Sequence, residues 1–63
     1  MSRIKNIVVS AALAIDQVGE PVLAEQLLSG EASIGRLVSV AERMDQDDQR
    51  VVVEYISLAN GGA

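Results

Sequence analysis

The chain has 63 residues, of which five are basic and nine acidic, so its formal charge is −4, and it contains no His, Cys, Trp or Phe. This length allows one domain with a small core. Without Cys or His, neither a disulfide nor a common zinc site can stabilise that core, so we predict that a partner chain does. The excess of acid argues against binding to nucleic acid or to anionic membranes, since both depend on concentrated positive charge.

The first predicted helix is capped by Ser2 and ends near Val18. Val9 and Leu13 lie on the side of this helix opposite the main apolar stripe, so they form a second apolar face. We therefore predict that Val9 and Leu13 contact another chain. The main stripe has spacings of three and four and is expected to face the core; it consists of Ile4, Ile7, Val8, Ala11, Ile15 and Val18.

The start of this helix is similar to a secretion signal, because Arg3 and Lys5 precede an apolar stretch with an Ala-x-Ala at 12–14. Only the five residues 7–11 of the apolar stretch precede that site, which is shorter than a signal requires. The stretch ends at Asp16, too early to cross a bilayer. We expect a buried helix of a cytoplasmic protein without membrane contact.

The second predicted helix runs from Pro21 to about Ser29. Proline suits the first position of a helix, and Gly30 supplies the stop. Four residues are expected to face inward, namely Leu23, Ala24, Leu27 and Leu28.

Ser33 is the predicted cap of a third helix that ends near Met44. Its expected apolar stripe is Ile34, Leu37, Val38, Ala41 and Met44.

The segment 45–48 contains three aspartates, interrupts the chain and supplies acidic caps for a fourth helix from Gln49 to Ala59. Residues 51–56 are rich in side chains favoured in sheets, so a strand paired with residues 7–9 is the alternative. The caps and the stop at residues 60–62 favour helix. Val53 points away from the expected inner face, and Tyr55 combines an apolar ring with a hydroxyl, so both are predicted interface residues. The expected inner face is Val51, Val52, Tyr55, Ile56 and Ala59.

These elements predict an all-α fold of three to four short helices in residues 1–60, completed as a small bundle by oligomerisation. Residues 61–63 are expected to form a flexible tail. The chain offers no His or Cys for acid–base or nucleophilic catalysis and no glycine-rich phosphate loop. A calcium loop beginning at Asp45 would need Gly and Glu where Arg50 and Ile56 stand. We expect no enzyme activity, metal or cofactor.

Residues 22–38 resemble a helix-turn-helix unit of bacterial and phage repressors. The resemblance is carried by Ala24, Leu27, a turn, Ser33-Ile34 and Leu37. In that unit an alanine of the first helix packs against an aliphatic residue of the second. The glycine usual in the turn is replaced by Leu28, and Gly30 comes two residues late. The resemblance implies DNA contacts from Ser33, Arg36, Ser39 and Arg43.

Together these patterns predict a small acidic protein-binding module: a regulator, inhibitor or assembly adaptor of bacterial or phage type that occupies the surface of a partner protein. Its expected partners are a second copy of itself and an unidentified protein. The alternative is a helix-turn-helix transcriptional regulator that uses residues 22–43.

Overall fold

The computed structural model describes the backbone of residues 3–60 and the side chains of residues 5–60. Four helices occupy this range and no strand occurs in it: α1 is Arg3–Gln17, α2 Pro21–Leu28, α3 Ile34–Ala41 and α4 Gln46–Ala59. The prediction of an all-helical chain is confirmed, including helix rather than strand over 51–56. The cap at Ser2, the side chain of Ile4 and the tail at 61–63 lie outside the described residues.

Glycine ends both α1 and α2. Gly19 and Gly30 have φ angles of 97° and 81°, the left-handed conformation that glycine adopts without steric cost. In each turn, the amides of the glycine and of the next residue donate to carbonyls of the last helical turn at 2.7–3.2 Å. This is the Schellman arrangement, so both helices stop through their own local sequence.

Side-chain caps begin α3 and α4. The hydroxyl of Ser33 accepts a hydrogen bond from the Arg36 amide at 3.4 Å, and Asp45 Oδ1 accepts one from the Asp48 amide at 3.0 Å. The predicted start of the fourth helix at Gln49 is therefore wrong by three residues. Because Asp45 is the cap, the acidic residues that follow it lie in the first helical turn, where the helix dipole favours negative charge.

The third helix ends at Ala41 rather than near Met44. The amides of Arg43 and Met44 donate to carbonyls three residues earlier, which tightens the chain into turns. The side chain of Gln49 on α4 reaches back and donates from Nε2 to the Ala41 carbonyl oxygen at 3.0 Å. An amide from a later helix thus helps to satisfy the end of α3.

The core lies where α1 packs against α2 and α4, and where α3 packs against α4. Five of its eleven residues are alanine, whose small side chain lets helices approach closely. Tyr55 is half-buried and packs against this core. The buried residues are Ala11, Ala12, Ala14, Ile15, Leu23, Ala24, Leu27, Leu37, Val40, Ala41 and Val52.

Several predicted core positions are wrong. Leu28 is exposed on α2, and Ala59 is exposed near the end of α4. On α3, Ile34 and Val38 are exposed while Val40 is buried. The α3 stripe is rotated toward Val40 because α3 packs against α4, and the spacing of residues within two helical turns does not define that direction.

Candidate protein-docking groove

An open groove runs between α1 and α2, with a cavity volume of about 260 Å³. Its prominent apolar side chains are Val9 and Leu13 from α1 and Leu28 from α2, which are 45%, 58% and 56% exposed. We call this surface the α1/α2 groove. It is lined by Val9, Ala12, Leu13, Asp16, Pro21, Ala24, Glu25 and Leu28.

Helical spacing explains how both helices supply this surface. On α1 the lining residues lie at 9, 12, 13 and 16, and on α2 at 21, 24, 25 and 28. Each set has the spacing of three and four that defines one helical face. The two faces lie side by side because α1 and α2 pack together after the short turn at Gly19.

The groove has an apolar base and an acidic margin. Ala12 and Ala24 are buried at its base, where α1 and α2 meet. Asp16 and Glu25 are exposed and line the groove, and no Lys or Arg is among its lining residues. Such a surface suits an occupant that combines apolar side chains with positive charge.

The structure brings together two of the four predicted interface residues. Val9 and Leu13 share the groove with Leu28, which was expected in the core. Val53 is exposed on α4 and does not line this groove, and Tyr55 packs on the core. Adjacent residues of a helix can both be buried, as Leu23 and Ala24 are on α2, so the sequence carried no local signal for Leu28. Its exposure follows from how α2 packs against α1.

The four predicted DNA contacts share a different surface, an open polar concavity beside α3. It contains Ser33, Arg36, Ser39 and Arg43. Glu20 also lines it, and its Oε2 accepts a hydrogen bond from Arg43 Nη2 at 2.7 Å. This ion pair neutralises one of the two arginines, and the Ser33 hydroxyl caps α3.

The packing of Ala24 bears on the helix-turn-helix resemblance. Ala24 lines the α1/α2 groove beside α1, and the extensive contacts of α2 are made with α1. α3 packs instead on α4. The helices that correspond to the motif are thus held in place mainly by other helices.

No helix in residues 3–60 combines the length and apolar character needed to cross a bilayer. Over the same residues, no group of three or more acidic side chains is arranged to hold a metal ion. Comparison of the chain with known protein families, with curated proteins and with solved structures finds no match.

Proposed function

We propose that this chain is a small acidic protein-binding module, a regulator, inhibitor or assembly adaptor, whose α1/α2 groove docks a helix of another protein chain. One observation carries the proposal: Val9, Leu13 and Leu28 remain about half exposed and converge on a single cavity. The module acts by occupying the surface of its partner.

Clustering distinguishes these side chains from ordinary exposed ones. Single exposed apolar residues such as Val22 and Val53 are normal on a protein surface. A contiguous apolar patch marks an interaction site. Covering the exposed half of each groove side chain contributes about 1 kcal/mol, so three of them can anchor one helix.

The chemistry of the groove defines its occupant. An amphipathic helix docks in such a groove through apolar side chains at helical spacing. A cation on that helix would face Asp16 and Glu25, because the lining offers two carboxylates and no cation. An acidic helix would meet like charge. The occupant is therefore an amphipathic helix with a lysine or arginine at the margin of its apolar face.

A site-specific photocrosslinker tests this proposal. We would replace Leu28 by p-benzoylphenylalanine, irradiate the protein in lysate of the producing cell, and identify the adducts by mass spectrometry. The expected result is a defined protein adduct that Leu13→Glu abolishes, since the charge disrupts the apolar surface. Val22 is the matched control position because it is 68% exposed on α2 but does not line the groove.

Equal adduct yields at Leu28 and Val22 would contradict the proposal, as would adducts that persist in Leu13→Glu. An adduct of two copies of the chain is recognised by its mass and is scored separately from a different partner.

A helix-turn-helix DNA-binding regulator is the second candidate. The observation that favours it is the convergence of Ser33, Arg36, Ser39 and Arg43 on one concavity. Against it stand the Glu20–Arg43 ion pair and the net charge of −4. Most of the affinity for DNA comes from cations that neutralise phosphates, and this surface has one arginine outside the ion pair, so it is poorly equipped for DNA.

A further inference from the structure

We infer that the α1/α2 groove docks α1 of a second copy of this chain, which gives an antiparallel, two-fold symmetric dimer. The inference rests on the proposed role of the groove as a helix-docking surface. It identifies one helix that meets the chemical description of the occupant.

The exposed face of α1 carries a cation, an apolar centre and a carboxylate in that order. Lys5, Val9, Leu13 and Asp16 follow one another at spacings of three and four, so they form one stripe along the helix. All four are exposed. Lys5 has no ion pair within the described part of the chain. The face therefore has both an unused cation and an uncovered apolar surface.

This stripe is complementary to itself when reversed. The pairs Lys5/Asp16 and Val9/Leu13 share one midpoint, at Ala11 to within half a residue. A two-fold axis at the height of Ala11, on the exposed side of α1 between Val9 and Leu13, places Lys5 opposite Asp16 of the second copy and Val9 opposite its Leu13. Every contact then occurs twice, as an isologous interface requires. A parallel pairing would instead bring lysine to lysine and aspartate to aspartate.

The second helix of each copy completes the site. Leu28 and Glu25 line the same groove from α2, so the incoming α1 meets a further apolar side chain and a second carboxylate there. Lys5 and Asp16 are separated by about 16 Å along α1, so the two charge pairs lie at opposite ends of the apolar contact. The buried alanines at the base of the groove allow close approach of the helices.

Self-pairing has a consequence for any other partner. A partner helix that docks in the same groove must displace the second copy of α1. The dimer is then the resting form of the protein, and binding of the partner depends on the concentration of the chain itself.

Charge exchange across the dimer tests the inference with the full chain. Lys5→Glu and Asp16→Lys each turn two attractive contacts into repulsive ones, and each should raise the dimer dissociation constant roughly 10- to 30-fold. An equimolar mixture of the two variants should recover dimer, because each copy then offers the charge that the other lacks. Sedimentation velocity over a concentration series measures these constants.

Both variants should fold, because an acid near the start of a helix and a lysine near its end interact favourably with the helix dipole. Circular dichroism checks their helix content. Val22→Glu is the control and should leave the dimer constant unchanged, since Val22 lies outside the groove.

A chain that stays monomeric at all concentrations would overturn the inference, as would a mixture of variants that fails to recover dimer. Dimers that tolerate both charge variants but are lost in Leu13→Glu would overturn the antiparallel register while leaving the groove as a docking surface. The crosslinks to other proteins from Leu28 test the proposed function independently of either result.

Discussion

The α1/α2 groove and the polar concavity beside α3 are both open to solvent, but they differ in how many of their side chains have a partner within the same chain. In the polar concavity Arg43 is paired with Glu20 at 2.7 Å, and the hydroxyl of Ser33 caps α3. In the groove, Val9 and Leu13 remain about half exposed. The comparison shows that one side chain of the same chain can satisfy a polar group, as Glu20 does for Arg43, whereas an apolar face is covered only by another apolar face.

The sharpest test of this comparison lies in two adjacent leucines of α2. Leu27 is 1% exposed and Leu28 is 56% exposed. Leu27→Ala should lower the free energy of unfolding by about 2–5 kcal/mol because it leaves a cavity in the core. Leu28→Ala should change it by less than about 0.5 kcal/mol under monomeric conditions. Urea denaturation followed by circular dichroism measures both.

A loss of more than about 1 kcal/mol in Leu28→Ala under monomeric conditions would show that Leu28 supports the core of its own chain. The groove would then lose one of its three apolar side chains, and the contrast with the polar concavity would weaken.

The next largest effect concerns two glycines, for which we expect substitution by alanine to change the free energy of unfolding in opposite directions. Gly30, in the turn between α2 and α3, has a φ of 81°, so Gly30→Ala should destabilise by about 1–2 kcal/mol. Gly35 lines the polar concavity within α3, and an added methyl group there would meet only Ser33 Oγ at 3.7 Å. Gly35→Ala should stabilise by about 0.5–1 kcal/mol.

Thermal unfolding of both variants checks these signs. Destabilisation by Gly35→Ala would indicate that the concavity is more closely packed than its contacts show. A neutral Gly30→Ala would contradict the role of the glycine in ending α2.

The smallest effect concerns the ion pair of the polar concavity. Glu20→Gln removes the charged partner of Arg43. Because both side chains are partly exposed, it should lower the free energy of unfolding by only about 0.2–1 kcal/mol, and by less at high salt.

We expect neither the natural chain nor the Glu20→Gln variant to retain a DNA duplex at submicromolar concentration in about 50 mM salt, where electrostatic binding is favoured. A gel shift measures this.

Retention of duplex by Glu20→Gln alone would mean that the ion pair masks a DNA-binding surface. Retention by the natural chain would favour the helix-turn-helix interpretation. Arg36→Gln is the matched variant for either outcome. It removes the other arginine of the concavity, which has no ion pair among the described residues, so any duplex retention through this surface should be lost.

Local sequence signals predicted the helices well. The glycine stop after α2 and the Ser33 cap were both readable because they act through neighbouring residues. The helix over 51–56 was also predicted correctly. Its three consecutive valines favour a strand by composition, but Val52 is buried against the other helices, and packing outweighs a small cost in helix propensity.

The direction in which short helices face was harder to predict. For α3, Ile34 and Val38 formed as plausible a stripe as Val40, because eight residues make only about two turns. The position of α4 decides between them. The sequence predicted only the α1 half of the groove for a similar reason. Val9 and Leu13 could be identified from the spacing within α1 alone, whereas Leu28 joins them only when α2 packs alongside α1.

The cap that Gln49 provides has a consequence for local opening of the chain. α1 and α2 stop through their own glycines, but the last carbonyl of α3 receives its side-chain hydrogen bond from α4. Fraying of α4 would therefore expose the end of α3 to water. In native-state hydrogen exchange, the amides in the last turn of α3 should share the opening free energy of the first turns of α4, so that the two helices behave as one cooperative unit.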